Sequence, residues 1–329
     1  MNAVAIRLRR AAVVVAAIAG MFHGAAARAE AYPARPVTIV VPYAAGGPMD
    51  LVARQLAVVL KDRLGTTVVV ENQGGAGGTI GSQRVARAAA DGYTLLLHHV
   101  GLATVPALYP SLKLDPRRDL VPLALVSEVP MMIVVPSGSS IAGIEHLASR
   151  SRGGQLNWGT AGPGSASSLC MRLVGAAMRG RDTEIAYKGT GPALIDLMAG
   201  RVDAMCDLVT NLKPMLDSGK VAAIATVSER RNPLFPAVPA LVEQGLPVAS
   251  FAVWYGLFAP SGTSTAVVQA LRRASEAAVG DAAYRTALAG AGATVPNAGD
   301  ATGNRLGERL LQDIARLRPL LTAAAEGRQ

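Results

Sequence analysis

The fold is decided by the stretch Val37-Thr-Ile-Val-Val-Pro-Tyr-Ala-Ala-Gly-Gly-Pro-Met-Asp50 and by the apolar pattern that follows it. Its first five residues are all β-branched and predict a buried strand that ends at Pro42. Over residues 51–64 the apolar side chains recur at helical spacing, and Gly65 is placed to cap the helix C-terminus. The sequence therefore predicts a strand, a glycine-bearing loop and a helix in succession.

This alternation continues along the chain, with further strands predicted over 67–71, 93–98, 131–135, 156–158, 184–187, 204–208, 221–227 and 254–259. Helices are predicted over 82–90, 169–178, 190–199, 264–280, 281–289 and 301–324. The alternation favours the α/β class, with parallel sheets covered by helices on both faces. A chain of 329 residues is long enough for two domains.

One internal repeat bears on the domain boundaries. Val134-Val-Pro-Ser-Gly-Ser-Ser140 is similar to Phe258-Ala-Pro-Ser-Gly-Thr-Ser264, and each reads as an apolar strand followed by a turn and a helix cap. The repeat is either a common strand-to-helix turn or the mark of two equivalent domains that each receive a crossing segment. The second interpretation places one domain at 30–131 with 253–329 and the other at 132–252.

The N-terminal 29 residues have the features of a secretory signal peptide. Arg7, Arg9 and Arg10 precede an apolar run over 11–22, and a small-residue stretch ends in Ala27-Arg-Ala29. The run is shorter than a bilayer requires, so an uncleaved anchor is the lesser alternative. Cleavage after Ala29 would remove four arginines and no acid, and would lower the formal charge from +9 to +5. We therefore expect an exported, periplasmic protein.

The composition excludes several classes of site. Two cysteines exclude a disulfide-rich scaffold and a Cys-rich zinc site, and four histidines leave little for any metal centre. We expect no cofactor. Cys170 and Cys206 both lie in apolar contexts, which favours buried free thiols, although export also permits a disulfide between them.

Two glycine-bearing loops are the best candidates for binding. The loop at 43–50 and the loop at 160–166 each join the end of a predicted strand to the start of a helix. A helix N-terminus presents unpaired N–H groups and attracts anions, so each loop could hold a carboxylate or a phosphate. The alternative is that the glycines only permit tight turns.

Other candidate residues stand at strand ends. His99, Lys188 and Asp207 could each contact a ligand or serve only the local structure. The glycines of 74–81 lack the G-x-G-x-x-G spacing and predict a tight connection, and no Walker pattern occurs. Ser165 follows Gly162-Pro-Gly and does not form the G-x-S-x-G nucleophile elbow.

An ordered set of short motifs extends over nearly all of 32–324. They are Tyr32-Pro-Ala-Arg-Pro36, Val41-Pro-Tyr-Ala-Ala-Gly-Gly-Pro-Met-Asp50, Val70-Glu-Asn-Gln-Gly-Gly-Ala-Gly-Gly-Thr-Ile-Gly81, Asp91-Gly-Tyr-Thr-Leu95, Tyr187-Lys-Gly-Thr-Gly-Pro-Ala193, Gly200-Arg-Val-Asp203 and Trp254-Tyr-Gly-Leu-Phe-Ala-Pro260. In this set the chain resembles the Bug-type periplasmic solute-binding proteins, also called the tripartite tricarboxylate transporter receptor family.

The resemblance implies a periplasmic-binding-protein-like fold of type II, in which two α/β domains joined by a two-crossover hinge close on a ligand. It implies a monomeric, non-enzymatic receptor that binds a di- or tricarboxylate or an aromatic acid and delivers it to a transporter or a sensor. The ligand-binding positions carried over are Tyr43, Ala44, Ala45, Gly46, Gly47, Asp50, His99, Gly101, Thr160, Ala161, Gly164, Ser165, Ala166, Lys188, Gly189 and Asp207.

The chain departs from the family pattern at three places. Trp158 stands where tyrosine is usual, Ser168-Leu169 where His-Leu is usual, and Met49 where a hydroxyl residue is frequent. We expect these changes to alter the shape or polarity of the ligand.

Two alternatives from other classes are an exported hydrolase of small esters that uses Ser165 or His99, and a basic protein that binds nucleic acid or a surface. Because the chain has few aromatic residues to stack on bases, we expect no nucleic acid as a partner.

Overall fold

The computed structural model describes residues 32–246 and 252–326. The strands are β1 Val37–Val41, β2 Val68–Asn72, β3 Thr94–His99, β4 Leu120–Val129, β5 Met131–Pro136, β6 Asn157–Thr160, β7 Thr183–Ala186, β8 Ala204–Leu208, β9 Val221–Thr226 and β10 Val253–Pro260. The helices are α1 Pro48–Leu64, α2 Thr79–Ala86, α3 Val105–Leu108, α4 Pro116–Asp119, α5 Ile144–Arg152, α6 Ala166–Met178, α7 Thr190–Met198, α8 Val209–Asp217, α9 Thr265–Val279, α10 Ala282–Gly290 and α11 Gly303–Glu326. The predicted signal peptide lies outside the described residues and stays a prediction.

The strands form two five-stranded sheets, in the orders β2-β1-β3-β10-β4 and β7-β6-β8-β5-β9. In each sheet the first three strands are parallel, and the fourth runs antiparallel to both of its neighbours. The predicted parallel arrangement therefore holds for three strands of each sheet and fails at the fourth. The α/β alternation holds within each parallel set. The antiparallel strands β5 and β10 instead follow strands of the other sheet in the sequence: β5 comes after β4, and β10 comes after β9.

The two sheets share one topology. Matching their orders pairs β1 with β6, β3 with β8, and β10 with β5. The repeated Pro-Ser-Gly segments end β5 and β10, which occupy the same place in their sheets, and the glycine of each turn has a positive φ (Gly138 80°, Gly262 85°). The repeat therefore marks equivalent strands rather than a turn that happens to recur.

Among the described strands, the one that the sequence did not predict is β4, and the helices α3, α4, α5 and α8 were also not among the predicted ranges. The pattern of β4 is broken by Pro122, which cannot donate a ladder hydrogen bond. In the structure β4 is the last strand of its sheet and pairs only with β10 within that sheet, so the proline is accommodated at an edge. The first helix also begins earlier than predicted, at Pro48, because proline suits the first helical turn. Gly65 ends this helix as predicted, with φ 67° and its N–H donating to the Lys61 carbonyl.

The two cysteines are joined. Cys170 of α6 and Cys206 of β8 form a disulfide with a Cα–Cα distance of 6.1 Å, so the expectation of free thiols was wrong. Both residues are fully buried. The sequence could not show the pairing because 36 residues separate the cysteines and only the packing of α6 on β8 brings them together.

A buried hydrogen bond links β10 to the C-terminal helix. Trp254 Nε1 donates to Asp313 Oδ2 at 2.7 Å, and Asp313 is 2% exposed. Arg316 also donates to this carboxylate.

Within the described residues, no helix combines the length and the apolar character that crossing a bilayer requires.

We expect Trp254→Phe to lower the free energy of unfolding by about 2 kcal/mol, because it removes a buried donor to a charged acceptor while keeping an aromatic ring. Urea unfolding followed by circular dichroism measures the change. An unchanged denaturation midpoint would show that the bond adds no net stability.

Candidate functional site

The first loop follows β1 and leads into α1. The Gly46 N–H donates to Asp50 Oδ2 at 3.0 Å, and Arg54 Nε donates to the same oxygen at 2.9 Å. Burial acts to raise the pKa of Asp50, but the hydrogen bonds from Arg54, Gly46 and Asn72 hold it below its ordinary value. Asp50 therefore fixes the loop, and the N–H groups of Ala44 and Ala45 have no acceptor among the described residues.

The second loop follows β6, the strand that matches β1, and leads into α6. Ser165 caps this helix by accepting from Ser168 N, and Ala161 N donates to Ser167 Oγ at 2.8 Å. Gly162 and Gly164 have φ values of 96° and 78°, which side chains rarely adopt. Within the part of the chain that the structure describes, the N–H groups of Gly164 and Ala166 meet no acceptor.

A network of polar side chains supports the second loop from behind. Thr160 Oγ1 and Ser168 Oγ both donate to Glu184 Oε1, at 3.0 and 2.6 Å. Glu184 also pairs with Arg172. Ser168, one of the departures from the family pattern, is thus occupied in holding the strand-to-helix junction together.

The end of β3 supplies two buried histidines. His99 Nδ1 accepts from the Gly101 N–H at 2.8 Å, so the ring carries its proton on Nε2, which has no hydrogen-bond partner among the described residues. Burial lowers the pKa of His99 to about 4, so the ring is neutral at pH 7. His98 Nδ1 lies 2.8 Å from His99 N, and its buried Nε2 has no partner within the described ranges. His99 therefore offers a neutral N–H donor.

Tyr43 and Tyr255 enclose these histidines. The ring centroid of His99 lies 5.0 Å from that of Tyr43 and 6.1 Å from that of Tyr255. Tyr255 is completely buried in β10, beside His99 in the sheet. Its hydroxyl has no partner among the described residues. Sequence analysis missed Tyr255 as a site residue, although it lies in the quoted motif Trp254-Tyr-Gly.

Asp207 occupies the position in β8 that corresponds to the end of β3. It is 2% exposed, and Asn211 Nδ2 donates to its Oδ2 at 3.1 Å. Burial raises the pKa of Asp207 to about 7. Hydrogen bonds from the Leu208 N–H and from the side chains of Asn211 and Thr190 act in the opposite direction and lower this pKa. Burial raises the pKa of Tyr255 well above its ordinary value, and the Asp207 charge acts in the same direction.

The loops of the two sheets meet. A Cβ on Gly101 would lie 3.1 Å from the Gly164 carbonyl oxygen, and one on Gly164 would lie 3.0 Å from Leu108. The segment that carries Lys188 and Gly189 follows Tyr187, whose N–H donates to the Thr160 carbonyl at the start of the second loop. Lys188 is exposed and forms no ion pair with a described residue, and Gly189 precedes α7 with φ 123°.

We expect Gly101→Ala to weaken ligand binding by at least tenfold, because its Cβ would lie 2.5 Å from His99 Cε1 and 2.9 Å from Nδ1. The imidazole would have to turn away and lose its bond to the Gly101 N–H. Isothermal titration calorimetry measures the affinity, and unchanged affinity would remove His99 from the site.

The contacts do not form a nucleophilic centre. Ser165 Oγ lies near Ser167 Oγ and the Ser168 N–H, and no described histidine is hydrogen-bonded to it. His99 is the other residue named for the hydrolase alternative, and its Nδ1 already accepts a hydrogen bond from the Gly101 N–H. Within the described ranges, no group of three or more His, Cys, Asp and Glu side chains is arranged to hold a metal.

A separate cavity of about 430 Å³ lies beside Pro130 and Ala252, next to the segments that link the two sheets. Residues 228–234 and 292–294 line much of it. It contains none of the predicted ligand-binding residues, so its volume says nothing about the loop site.

The chain is similar to known proteins over most of its length. Residues 52–322 match the family model described as tripartite tricarboxylate transporter family receptor. BugT of Bordetella pertussis is 36% identical over 290 residues, which covers 87% of this chain and 89% of BugT. A UPF0065 protein in the TAR-I ttuE-ttuC' intergenic region of Agrobacterium vitis is 39% identical, over 90% of this chain and 86% of that protein.

Three solved structures are similar to this chain, each with a TM-score of 0.81. MatC from Rhodopseudomonas palustris with bound malate is 37% identical and covers 88% of this chain and 100% of its own. The periplasmic binding protein BugD is 40% identical, with 89% and 99% covered. R. palustris Rpa4515 with adipate is 29% identical, with 89% and 98% covered. These matches confirm the periplasmic-binding-protein-like α/β fold, and the chain belongs to the receptor family of the tripartite tricarboxylate transporters.

Proposed function

We propose that this protein is an extracytoplasmic receptor for a small carboxylate, which it captures between the loops after β1 and β6. One observation carries the proposal: the backbone N–H groups of both loops that meet no acceptor among the described residues lie at the carboxyl ends of β1 and β6, and the neutral His99 ring lies at the end of β3 beside β1. Ligands of open α/β sheets bind at such ends. The relatives solved with malate and with adipate support a carboxylate as the ligand.

We infer that the chain divides into one domain of residues 30–131 with 253–329 and another of 132–252. The first sheet takes its strands from 37–129 and 253–260, and the second from 131–226, which supports this division. The chain would then cross between domains near Pro130 and again before Val253. Two crossings permit a hinge motion in which the ligand stabilises the closed state.

The remaining proposals concern the setting of the receptor. It would be exported by the signal peptide over 1–29, act in the periplasm as a monomer, and pass its ligand to the membrane subunits of a tripartite transporter or to a sensor. Family members that are periplasmic binding proteins support this location.

A thermal-shift experiment tests the function. The purified protein is heated with mono-, di- and tricarboxylates and aromatic acids, with neutral esters of the same acids as matched controls. A bound ligand raises the melting temperature by mass action, by an amount that grows with its concentration. We expect at least one acid to raise it and its ester to leave it unchanged. If none of the acids shifts it and the esters are hydrolysed, the receptor proposal fails.

A further inference from the structure

One carboxylate is bonded to both ends of the second loop. Glu184 Oε1 accepts from Thr160 Oγ1 at 3.0 Å and from Ser168 Oγ at 2.6 Å. Thr160 is the last residue of β6 and Ser168 lies in the first turn of α6, so the loop over 161–165 runs between the two hydroxyls. Arg172, one turn further along α6, donates to the other oxygen of Glu184. We call Glu184 and these three side chains the Glu184 network.

The sheet register brings Glu184 to this position. In the parallel pair of β6 and β7, Glu184 is the partner of Trp158. Trp158 and Thr160 are two residues apart in the strand, so their side chains lie on the same face of the sheet. On α6, Ser168 and Arg172 are four residues apart and lie on one face of the helix. The strand and the helix therefore present their polar groups to the same carboxylate.

The carboxylate also determines the direction of a chain of hydrogen bonds inside the loop. A carboxylate paired with arginine accepts and does not donate, so Thr160 gives its single hydroxyl proton to Glu184. The Thr160 oxygen is then left to accept from the Gly162 N–H, at 3.2 Å. The Gly162 carbonyl in turn accepts from Ser165 N at 3.1 Å. The bonds that start at Glu184 thus set the turn that precedes α6.

Stability alone does not call for such a network. The side chains of Arg172 and Glu184 are 17% and 13% exposed, and a buried ion pair is often no more stabilising than apolar side chains of the same size. What the network adds is direction, because charge-assisted hydrogen bonds fix geometry as well as distance. The first loop is held in a similar manner, since Asp50 accepts from Gly46 N and pairs with Arg54. Each loop is thus held by a carboxylate that pairs with an arginine of the helix that follows the loop.

We propose that Glu184 is a positioning residue of the receptor, which does not touch the ligand but holds the N–H groups of Gly164 and Ala166 in the geometry that binds a carboxylate. It acts through Thr160 and Ser168, so the Thr160 hydroxyl serves the loop rather than the ligand. The proposal deepens the proposed function and rests on it. Ser168 stands where the family usually has histidine, so its bond to Glu184 is a feature of this chain rather than of the family pattern.

Glu184→Met and Glu184→Gln are a matched pair of variants that tests the role. Both side chains are unbranched and similar in length to glutamate, but glutamine keeps an acceptor oxygen for the two hydroxyls and methionine keeps none. We expect Glu184→Met to weaken ligand binding by about tenfold or more, because it leaves both hydroxyls without their acceptor. Glu184→Gln should recover most of the affinity. Calorimetric titration with succinate, malate, adipate and the acid that raises the melting temperature most in the thermal-shift experiment measures both.

Thr160→Val breaks the same chain of bonds at its next member. Valine has the shape of threonine without the hydroxyl, so the loss of affinity should resemble that of Glu184→Met, and the two changes together should add little. Hydrogen exchange of the unliganded protein, followed by NMR, gives a readout that a general loss of stability would not. The Gly162 N–H should exchange faster in both variants, while the Gly46 N–H, which donates to Asp50, should exchange as in the wild type.

The outcomes separate the two proposals. If no acid of the thermal-shift experiment binds to the wild-type protein, the proposed function fails. If acids bind, and Glu184→Met binds them as tightly as Glu184→Gln, the receptor stands and the role of Glu184 is wrong. Additive losses in the combined variant, or Gly162 exchange that stays at the wild-type rate, would also overturn it. Should Glu184→Met fail to fold, an unchanged affinity in Thr160→Val would contradict the role by itself.

Discussion

Replacing Cys170 and Cys206 together by alanine is expected to lower the free energy of unfolding by about 3–4 kcal/mol. The disulfide joins residues 36 positions apart, and opening a loop of that length restores conformational freedom to the unfolded chain. The loss should appear as a lower denaturation midpoint in urea, measured on the oxidised protein. Because the bond ties α6, whose N-terminus forms the second loop, to the strand that carries Asp207, we also expect weaker ligand binding.

The single variants provide the matched control. If the covalent link carries the effect, Cys170→Ala alone should already show nearly all of the loss in unfolding free energy that the double variant shows. The second replacement should then add only the small packing loss of one side chain. Reductant should lower the midpoint of the wild-type protein to a similar degree and leave the double variant unchanged. Additive single effects, or a wild-type midpoint that reductant does not move, would contradict the prediction.

Much of the fold was predictable because it depends on short-range patterns. The β-branched run over Val37–Val41 and the cap at Gly65 determine their own conformation, and both were predicted. The direction of β10 and the existence of β4 depend on pairing between residues more than a hundred positions apart. A single sequence carries no record of such pairing, and Pro122 argued locally against the strand that it occupies.

The site was predictable to the same extent. Both glycine loops, His99 and Asp207 could be named because they stand where strands end. Tyr255 was missed because its role follows from burial and from the neighbours that surround its hydroxyl, and neither is visible in the sequence. The hydrogen bonds that Asp50 accepts from Gly46 and Arg54 are likewise invisible in the sequence, and its predicted contact with a ligand stays a prediction.

Gly47→Leu is expected to reduce ligand affinity by at least a hundredfold while leaving the protein folded. Gly47 precedes α1 with φ −83° and ψ 173°, which any residue adopts, and the nearest atom to an added Cβ is the Ala44 oxygen at 3.6 Å. The backbone of the free protein therefore accepts a Cβ at this position without a clash. A ligand that approaches the N–H groups of this loop would meet the new side chain instead, and it would lose contacts that only a close backbone allows.

Gly299→Leu is the matched control, because Gly299 lies away from the loops and has no atom within 4 Å of an added Cβ. Both variants should keep the wild-type melting temperature without ligand, and only Gly299→Leu should show the wild-type increase with ligand. A Gly47→Leu protein that binds normally would mean that the first loop does not hold the carboxylate. The anion would then depend on the loop at 160–166 alone, and the equivalence of the two sheets would have no counterpart in binding.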